Sequence, residues 1–341
     1  MALPFLKSKK ESSLGIDIGT SSIKIVELKK GVKDKIELTN YGEGIVRADI
    51  VLQSSSSKLS VAQAADIIRE IIRAANIKET KAIMSLPVFS GFSTVISLPQ
   101  MSEAELDQAV LYEAKKYIPL PLSEVQFEWV KINSAKNTNI LIVAVTNELI
   151  NKYNEIAKLS GLTLSYLELD TFSLARSLIG KSDGSSLIIN IGSRNTTLSI
   201  VEGEWPIFTR NLDVSGFEFS KLIASSEKVD FARAESLKKE RGINAGAGVL
   251  FPLLDSIFLE GRRMISDNSS PERMPVNKII ISGGSSRMPG LLEYASKSIG
   301  QKVVMGFPFN GIIYPEALKP ILQELAPSFD VAVGLALREF K

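Results

Sequence analysis

One short pattern occurs twice in this chain, and it constrains the fold more tightly than any other feature. Ile16-Asp17-Ile18-Gly19-Thr20-Ser21 returns as Ile189-Asn190-Ile191-Gly192-Ser193-Arg194, with Gly192 173 residues after Gly19. Each copy is a polar glycine turn between alternating apolar runs, the pattern of two strands joined by a tight hairpin. Backbone N–H groups gathered at such a turn form a small anion nest that could hold a phosphate; an ordinary hairpin with a polar tip has the same local pattern. A repeat at half the chain length implies two similar domains facing one another across a cleft, each contributing one hairpin. The 341 residues, 45% hydrophobic, are enough for two such cores.

A third glycine turn lies in NKIIISGGSSRMPGLLEYASKSIG, where a buried strand runs into Gly283-Gly284 and then a helix. In an α/β sheet, the carboxyl end of a strand is where ligands bind. Between the two hairpins, residues 36–48 read as a strand and turn, Ser54 to Ser57 with Lys58 as a loop, and VAQAADIIREIIRAANI as an amphipathic helix. KAIMSLP is a buried strand ending at Pro87. GFSTVISLP, SEAELDQAVLYEAKKYI, VQFEWVKI, NILIVAVT and NELINKYNEIAKLSG then form a compact α+β insert. Ser102 with Glu105 predicts a capping box at the start of its first helix, and Pro119 and Pro121 close that helix.

Composition removes several chemistries. With no cysteine and no histidine, Ser-His-Asp and Cys-His catalysis, zinc fingers, thiol redox and histidine metal ligation are excluded. Any metal must be held by oxygen, which points to Mg²⁺. A formal charge of +2 gives no general attraction to nucleic acid or anionic lipid, so no nucleic-acid partner is expected. No segment has the length and uninterrupted apolarity of a membrane helix, and MALPFLKSKKESS has no signal-peptide core, so a cytoplasmic protein with a flexible lead-in is expected.

The three turns in this order resemble the phosphate 1, phosphate 2 and adenosine motifs of the actin, Hsp70 and sugar-kinase superfamily, over nearly the whole chain. Lys24 lies seven residues after Asp17, as the phosphate-contacting lysine of actin-like proteins does, and ARAESLKKERG is similar to their base- and ribose-facing helix. The early insert followed by LELDTFSLARSL resembles the FtsA branch. Within that branch EAKKYIPLPLSEVQFEWV, LIVAVTNELINKYNEIAKLSGL, GGSSRMPGLLEY and VAVGLALRE resemble the PilM family of type IV pilus assembly proteins.

This resemblance implies an α/β, actin-like ATPase fold: two duplicated ribonuclease-H-like domains around a nucleotide cleft, with a small α+β insert of the FtsA 1C type. The boundaries expected are a lead-in at 1–12 and a first domain from 13–83 and 161–183 completed by a C-terminal helix at 329–341. The insert occupies 84–160, and a second domain 184–328 carries a small subdomain near 223–254. It further implies a cytoplasmic ATP- and Mg²⁺-binding scaffold that docks the N-terminal cytoplasmic peptide of the inner-membrane protein PilN in a groove between insert and first domain. From there it would link the alignment subcomplex to the pilus motor ATPase or platform protein. Membrane association would run only through partners, and self-association belongs to the same branch. The alternatives are an FtsA-like polymerising division scaffold and a kinase of the sugar-kinase type.

By the same resemblance, Asp17 orients the metal. Gly19, Thr20, Ser21, Ser22 and Lys24 meet the β- and γ-phosphates, opposite Asn190, Gly192, Ser193, Asn195 and Thr196. Asn190 stands where the superfamily usually has aspartate, so binding survives while hydrolysis is weak or absent. Glu235 and Lys238 approach ribose and base, with Gly283, Gly284, Ser285 and Arg287 along the adenosine. Glu168 and Asp170 are the candidate bases, Asp170 equally an N-cap of the helix it precedes. Phe89, Phe92, Val95, Tyr112 and Tyr117 are candidates either for the partner groove or for plain packing of the insert.

Overall fold

The computed structural model describes residues 12–46, 59–132, 138–180, 184–269 and 273–340. The lead-in before Ser12, the end of the segment 36–48 and the serine loop with Lys58 lie outside the described residues. The first domain opens with β1 (Ser12–Ile18), β2 (Ser22–Lys30), β3 (Ile36–Ile45), α1 (Val61–Ala74) and β4 (Lys81–Leu86). The insert follows as β5 (Phe92–Leu98), α2 (Glu103–Tyr117), β6 (Val125–Ile132) and β7 (Thr138–Thr146). The chain then returns through α3 (Asn147–Leu159), β8 (Thr163–Leu169) and α4 (Asp170–Leu178).

The second domain starts with β9 (Ser185–Ile191), β10 (Thr196–Glu202), β11 (Trp205–Leu212), α5 (Gly216–Glu227) and α6 (Phe231–Arg241). It continues through α7 (Phe251–Asp267), β12 (Val276–Ser282), α8 (Leu291–Ile299) and β13 (Val303–Met305). Short β14 (Ile312–Ile313) and α9 (Lys319–Leu337) lead back to the first domain.

The two large sheets have one topology. Their orders are β14-β3-β2-β1-β4-β8 and β11-β10-β9-β12-β13, so β3-β2-β1-β4-β8 corresponds to β11-β10-β9-β12-β13. In each, the hairpin pairs antiparallel and the next strand runs parallel beside its first arm. Strand alternation supplies the buried faces: Leu14, Ile16, Ile23 and Ile25 in the first domain, and Leu187, Ile189, Leu198 and Ile200 in the second.

A seam of Ile83, Leu174, Ile188, Ile280 and Leu335 joins the two domains. Helix α9 closes the other face of the first sheet because Gly15 has no side chain. A Cβ there would lie 2.2 Å from the Ala332 carbonyl oxygen. The helix starts at Lys319 rather than near 329. Pro320 sits in its first turn, where a missing N–H leaves no hydrogen bond unmade. Pro327 lies inside the helix, and its carbonyl accepts the Gly283 N–H at 2.7 Å.

The insert has its own core of Ile96, Leu106, Val110, Ile140 and Ile142, and the Ser102–Glu105 capping box forms as predicted. Helix α3 does not belong to that core. Its Tyr153, Ile156 and Ala157 pack with Leu14, Ile68 and Met84 of the first domain. The return limb from the insert is therefore part of the domain that carries the first hairpin.

Candidate functional site

The two hairpin turns are built alike. Gly19 N–H donates to the Ser22 carbonyl at 3.1 Å, and Gly192 N–H to the Asn195 carbonyl at 3.0 Å. They face a cavity of about 820 Å³ between the two sheets. Asp17, Gly19, Thr20, Ser21, Ser22 and Lys24 line it from one side, and Asn190, Gly192, Ser193 and Asn195 from the other. Gly283, Gly284, Ser285 and Arg287 of the third turn, Glu235 and Lys238 of α6, and Asp170 at the start of α4 complete the set.

Two predicted residues do not reach the cavity. Thr196 is fully buried, and its hydroxyl donates to the Val214 carbonyl at 2.7 Å. Glu168 is also buried, bound by both arms of Arg176 at 2.7 and 2.8 Å, by Ser173 at 2.8 Å, and by Arg338 from beyond α9. Burial alone would raise the Glu168 carboxyl, but the hydrogen bonds and charge of Arg176, with Arg338, hold it below the usual carboxylate range. Both oxygens are committed to an internal ion cluster, which removes Glu168 as a base facing the cleft.

Asp170 does face it. It is the first residue of α4 rather than the cap, which is Leu169, and its carboxylate accepts the Val88 N–H at 3.2 Å. Burial, then the charge of Asp17, pushes the Asp170 carboxyl up to about 7, against the hydrogen bonds from Val88 and Thr171. Asp17 accepts from Ser85 Oγ at 2.8 Å and lies opposite Lys24 in the hairpin register. Burial raises its carboxyl too, against the pull of Lys24 and Ser85. Lys24 Nζ reaches Ser22 Oγ at 2.6 Å and Glu43 at 3.4 Å.

The far end of the cleft is held by a brace. Lys238 Nζ donates to the Gly216 carbonyl at 2.9 Å, to Ser220 Oγ at 2.7 Å and to Glu235 at 2.7 Å, tying the start of α5 to α6. Burial lowers the Lys238 ammonium pKa, with Glu235 pulling the other way. Gly283 has φ +89°, and a Cβ there would sit 2.5 Å from Asn190 Oδ1, so the third turn abuts the second hairpin. Arg287 donates to the Glu324 carbonyl at 2.8 Å at the rim.

Several lining residues carried little sequence signal. Ser85 and Glu43 surround Asp17 and Lys24; a hydroxyl at the end of a buried strand, just before Pro87, was the available hint for Ser85. Arg194 lies over the Phe217 ring at 4.1 Å, and Phe217 packs on Phe231 at 5.1 Å. Asp330 of α9 accepts from Ser282, and burial pushes it up to about 7. Tyr153 is buried within reach of the charges of Asp17 and Asp170, and its phenol is raised mainly by burial.

Of the five residues considered for a partner groove, Phe89 lines this cleft instead. Phe92 packs on the insert core, Val95 is half-buried on β5, and Tyr112 and Tyr117 are exposed on α2.

Turn N–H groups with hydroxyls and Lys24 on one side, and glycine backbone on the other, suit a phosphorylated ligand that spans both domains. Asp17, Asp170 and Glu43, the last paired with Lys24, are the acids of the first hairpin's side. Among the described residues no cluster of three acids stands ready to hold a metal alone. One or two carboxylates sharing a cation with ligand phosphates is the usual arrangement for Mg²⁺.

A family model described as type IV pilus assembly protein PilM matches residues 15–340. Among solved structures, the chain is similar to one described as a PilM-PilN type IV pilus biogenesis complex. That match has 25% identity and a TM-score of 0.81, covering 98% of this chain and 99% of the other. It also shares its fold with ethanolamine utilization protein EutJ from Carboxydothermus hydrogenoformans, at 16% identity and TM-score 0.59, over 96% of this chain and 90% of that one. MreB5 of Spiroplasma citri, solved bound to ADP, matches at 14% identity and TM-score 0.52, over 93% and 99%.

Proposed function

The chain belongs to the PilM family of type IV pilus assembly proteins, with the actin-like fold that its three glycine turns imply, and from that premise we propose a nucleotide-gated docking scaffold. It docks the N-terminal cytoplasmic peptide of a PilN-like inner-membrane protein and links the alignment subcomplex to the pilus motor. Its residence at the cytoplasmic face of the inner membrane comes from that partner; among the described residues no helix is long and apolar enough to cross a membrane.

The observation that carries the nucleotide part is the pair of matched hairpins facing one cavity, with a third glycine turn beside the second. In this reading ATP is the ligand. The N–H groups and hydroxyls of Thr20, Ser21 and Ser22 hold its terminal phosphates, Lys24 adds charge, and Gly192, Ser193 and Asn195 meet them from the second domain. Asp17 and Asp170 would hold Mg²⁺, directly or through water, and the ion would neutralise phosphate charge when bound. Gly283, Gly284 and Ser285 let the backbone follow the adenosine, and the Glu235–Lys238 brace shapes the wall beside it.

Hydrolysis is weak in this reading. Asp170, engaged with the cation, would not be free to act as a base, and Asn190 brings no negative charge from the opposite side. A ligand touching both domains favours their closed arrangement by its differential affinity for that state.

The test is a titration of the magnesium-ATP-loaded protein with a peptide copying the cytoplasmic tail of the PilN-like protein, with Asp17→Ala as control. Saturable binding that weakens in the control supports the scaffold. A folded, ATP-loaded protein that ignores the tail and instead forms filaments would replace this reading with an FtsA-like one.

A further inference from the structure

Both connections between the first domain and the insert pass beside the two cleft acids. The outgoing connection is the turn Val88–Ser90, whose first N–H donates to Asp170 Oδ1 at 3.2 Å. Val88 is buried in the core of the first domain, while its neighbour Phe89 is 54% exposed and lines the cleft. The turn runs straight through Gly91 into β5. It is wedged there: a Cβ on Gly91 would lie 2.9 Å from Leu169, the residue before Asp170, and 3.2 Å from the carbonyl of Ala144 on β7. The return connection is α3, which Thr146 caps at the end of β7 and which carries Tyr153 within reach of the charges of both acids.

Resting on the nucleotide reading above, we propose that the Val88–Ser90 turn is the element that transmits cleft occupancy to the insert, with Asp170 as its positioning residue. A polyphosphate with its cation competes for the Asp170 carboxylate. As Asp170 is drawn toward the ligand, the Val88 N–H loses its acceptor in a buried place, where an unpaired donor is costly. The turn relieves this by rotating. Because Gly91 is wedged against Ala144, rotation moves β5 and the central strand β7 with it. Phe89, on the same turn, meets the ligand directly. The apo and loaded proteins thus hold the insert at different angles to the first domain, and a peptide docked between them has different affinities for the two.

The experiment measures affinity of the full chain for a fluorescein-labelled synthetic peptide copying the PilN-like tail, with and without magnesium-ATP, in wild type and Val88→Pro. Proline removes the donor and fixes φ near −65°, which suits the first residue of a 3-10 turn, and Pro87 already has ψ 134°, the conformation required before a proline. ATP binding is measured separately by equilibrium dialysis. In wild type, ATP is expected to shift peptide affinity about tenfold. Val88→Pro is expected to bind both ligands with a shift below about twofold. A full shift in the variant overturns the proposal. So does a wild type that binds ATP and peptide without any shift, an outcome that leaves the scaffold reading standing. A wild type that binds no ATP overturns the nucleotide reading and this proposal together. Should the variant not fold, hydrogen exchange of wild type decides: ATP must change exchange in residues 88–98, and unchanged exchange there with ATP bound refutes the coupling.

Discussion

The two hairpins are one backbone used twice with opposite electrostatics. Asp17 pairs across the first with Lys24, and Asn190 pairs at the same register across the second with Thr197. The serine on the neighbouring parallel strand also changes partner. Ser85 donates to Asp17, whereas Ser282, beside Asn190, donates to Asp330 of α9. The hairpin of the first domain therefore carries a charged pair, with Glu43 and Asp170 nearby, whereas the hairpin of the second has the neutral Asn190 and Thr197 at the same positions, the charges of that side standing farther off on α6 and the third turn. Duplication preserved the turn that gathers N–H groups and left the side chains free to diverge, because the turn depends on glycine and hydrogen bonds rather than on charge.

The comparison breaks first in packing. Gly15 and Ile188 occupy equivalent positions, yet only the first lies under a helix backbone. Gly15→Ala is expected to destabilise by more than about 3 kcal/mol, because the new methyl meets the Ala332 carbonyl and not a movable side chain. Thermal unfolding measures it, and a loss below about 1 kcal/mol would mean that α9 shifts without penalty.

The comparison sharpens next in binding. Asp17→Ala is expected to weaken magnesium-ATP binding by roughly 100-fold, and Asn190→Ala by less than about tenfold, following the difference between charged and neutral hydrogen bonds. Calorimetry on the two variants side by side reads the ratio; equal losses would contradict the asymmetry. Placing the missing acid back, Asn190→Asp is expected to raise phosphate release at least about tenfold at similar ATP affinity.

The remaining effect depends on pH and concerns the buried acid of α9. Asp330 has an ordinary value of 3.8 and is pushed up to about 7 by burial, with Oδ1 lacking a hydrogen-bond partner. Between these values the fold holds a proton that the unfolded chain has released, so stability falls as pH rises through that window. Asp330→Asn is therefore expected to gain stability relative to wild type as pH goes from 4 to 8, by on the order of 4 kcal/mol. Denaturant midpoints at the two pH values test the sign, and a constant difference would mean that Asp330 titrates normally in the fold.

The legible part of the site is local. Gly19 and Gly192, the hydroxyls beside them, and Gly283 declare their turns within six residues of sequence. The illegible part arrives from a distance. The resemblance offered Glu168 and Asp170 together, and only the fold separates them: the chain leaves β8 at Leu169 and turns into α4, which puts Asp170 on the cleft. Glu168 looked like a cleft acid until Arg338, 170 positions away, claimed its carboxylate. Phe89 read as part of the insert, but the turn that carries it bends toward Asp170. Tyr153 and Asp330 come from helices whose apolar periodicity signalled only burial.

What this sequence determined by itself is the repeated strand-turn-strand unit, the third glycine turn and the class of ligand such turns hold. Those properties depend on φ/ψ preferences and alternation over a few residues. Tertiary structure alone decided which acids share the cleft and which become internal ion pairs, and that the Val88 N–H, at the exit to the insert, meets Asp170. The reason is that a carboxylate's charge and partners are set by burial and by whichever groups the folded chain brings within a few ångströms, and neither is written in its neighbours along the chain.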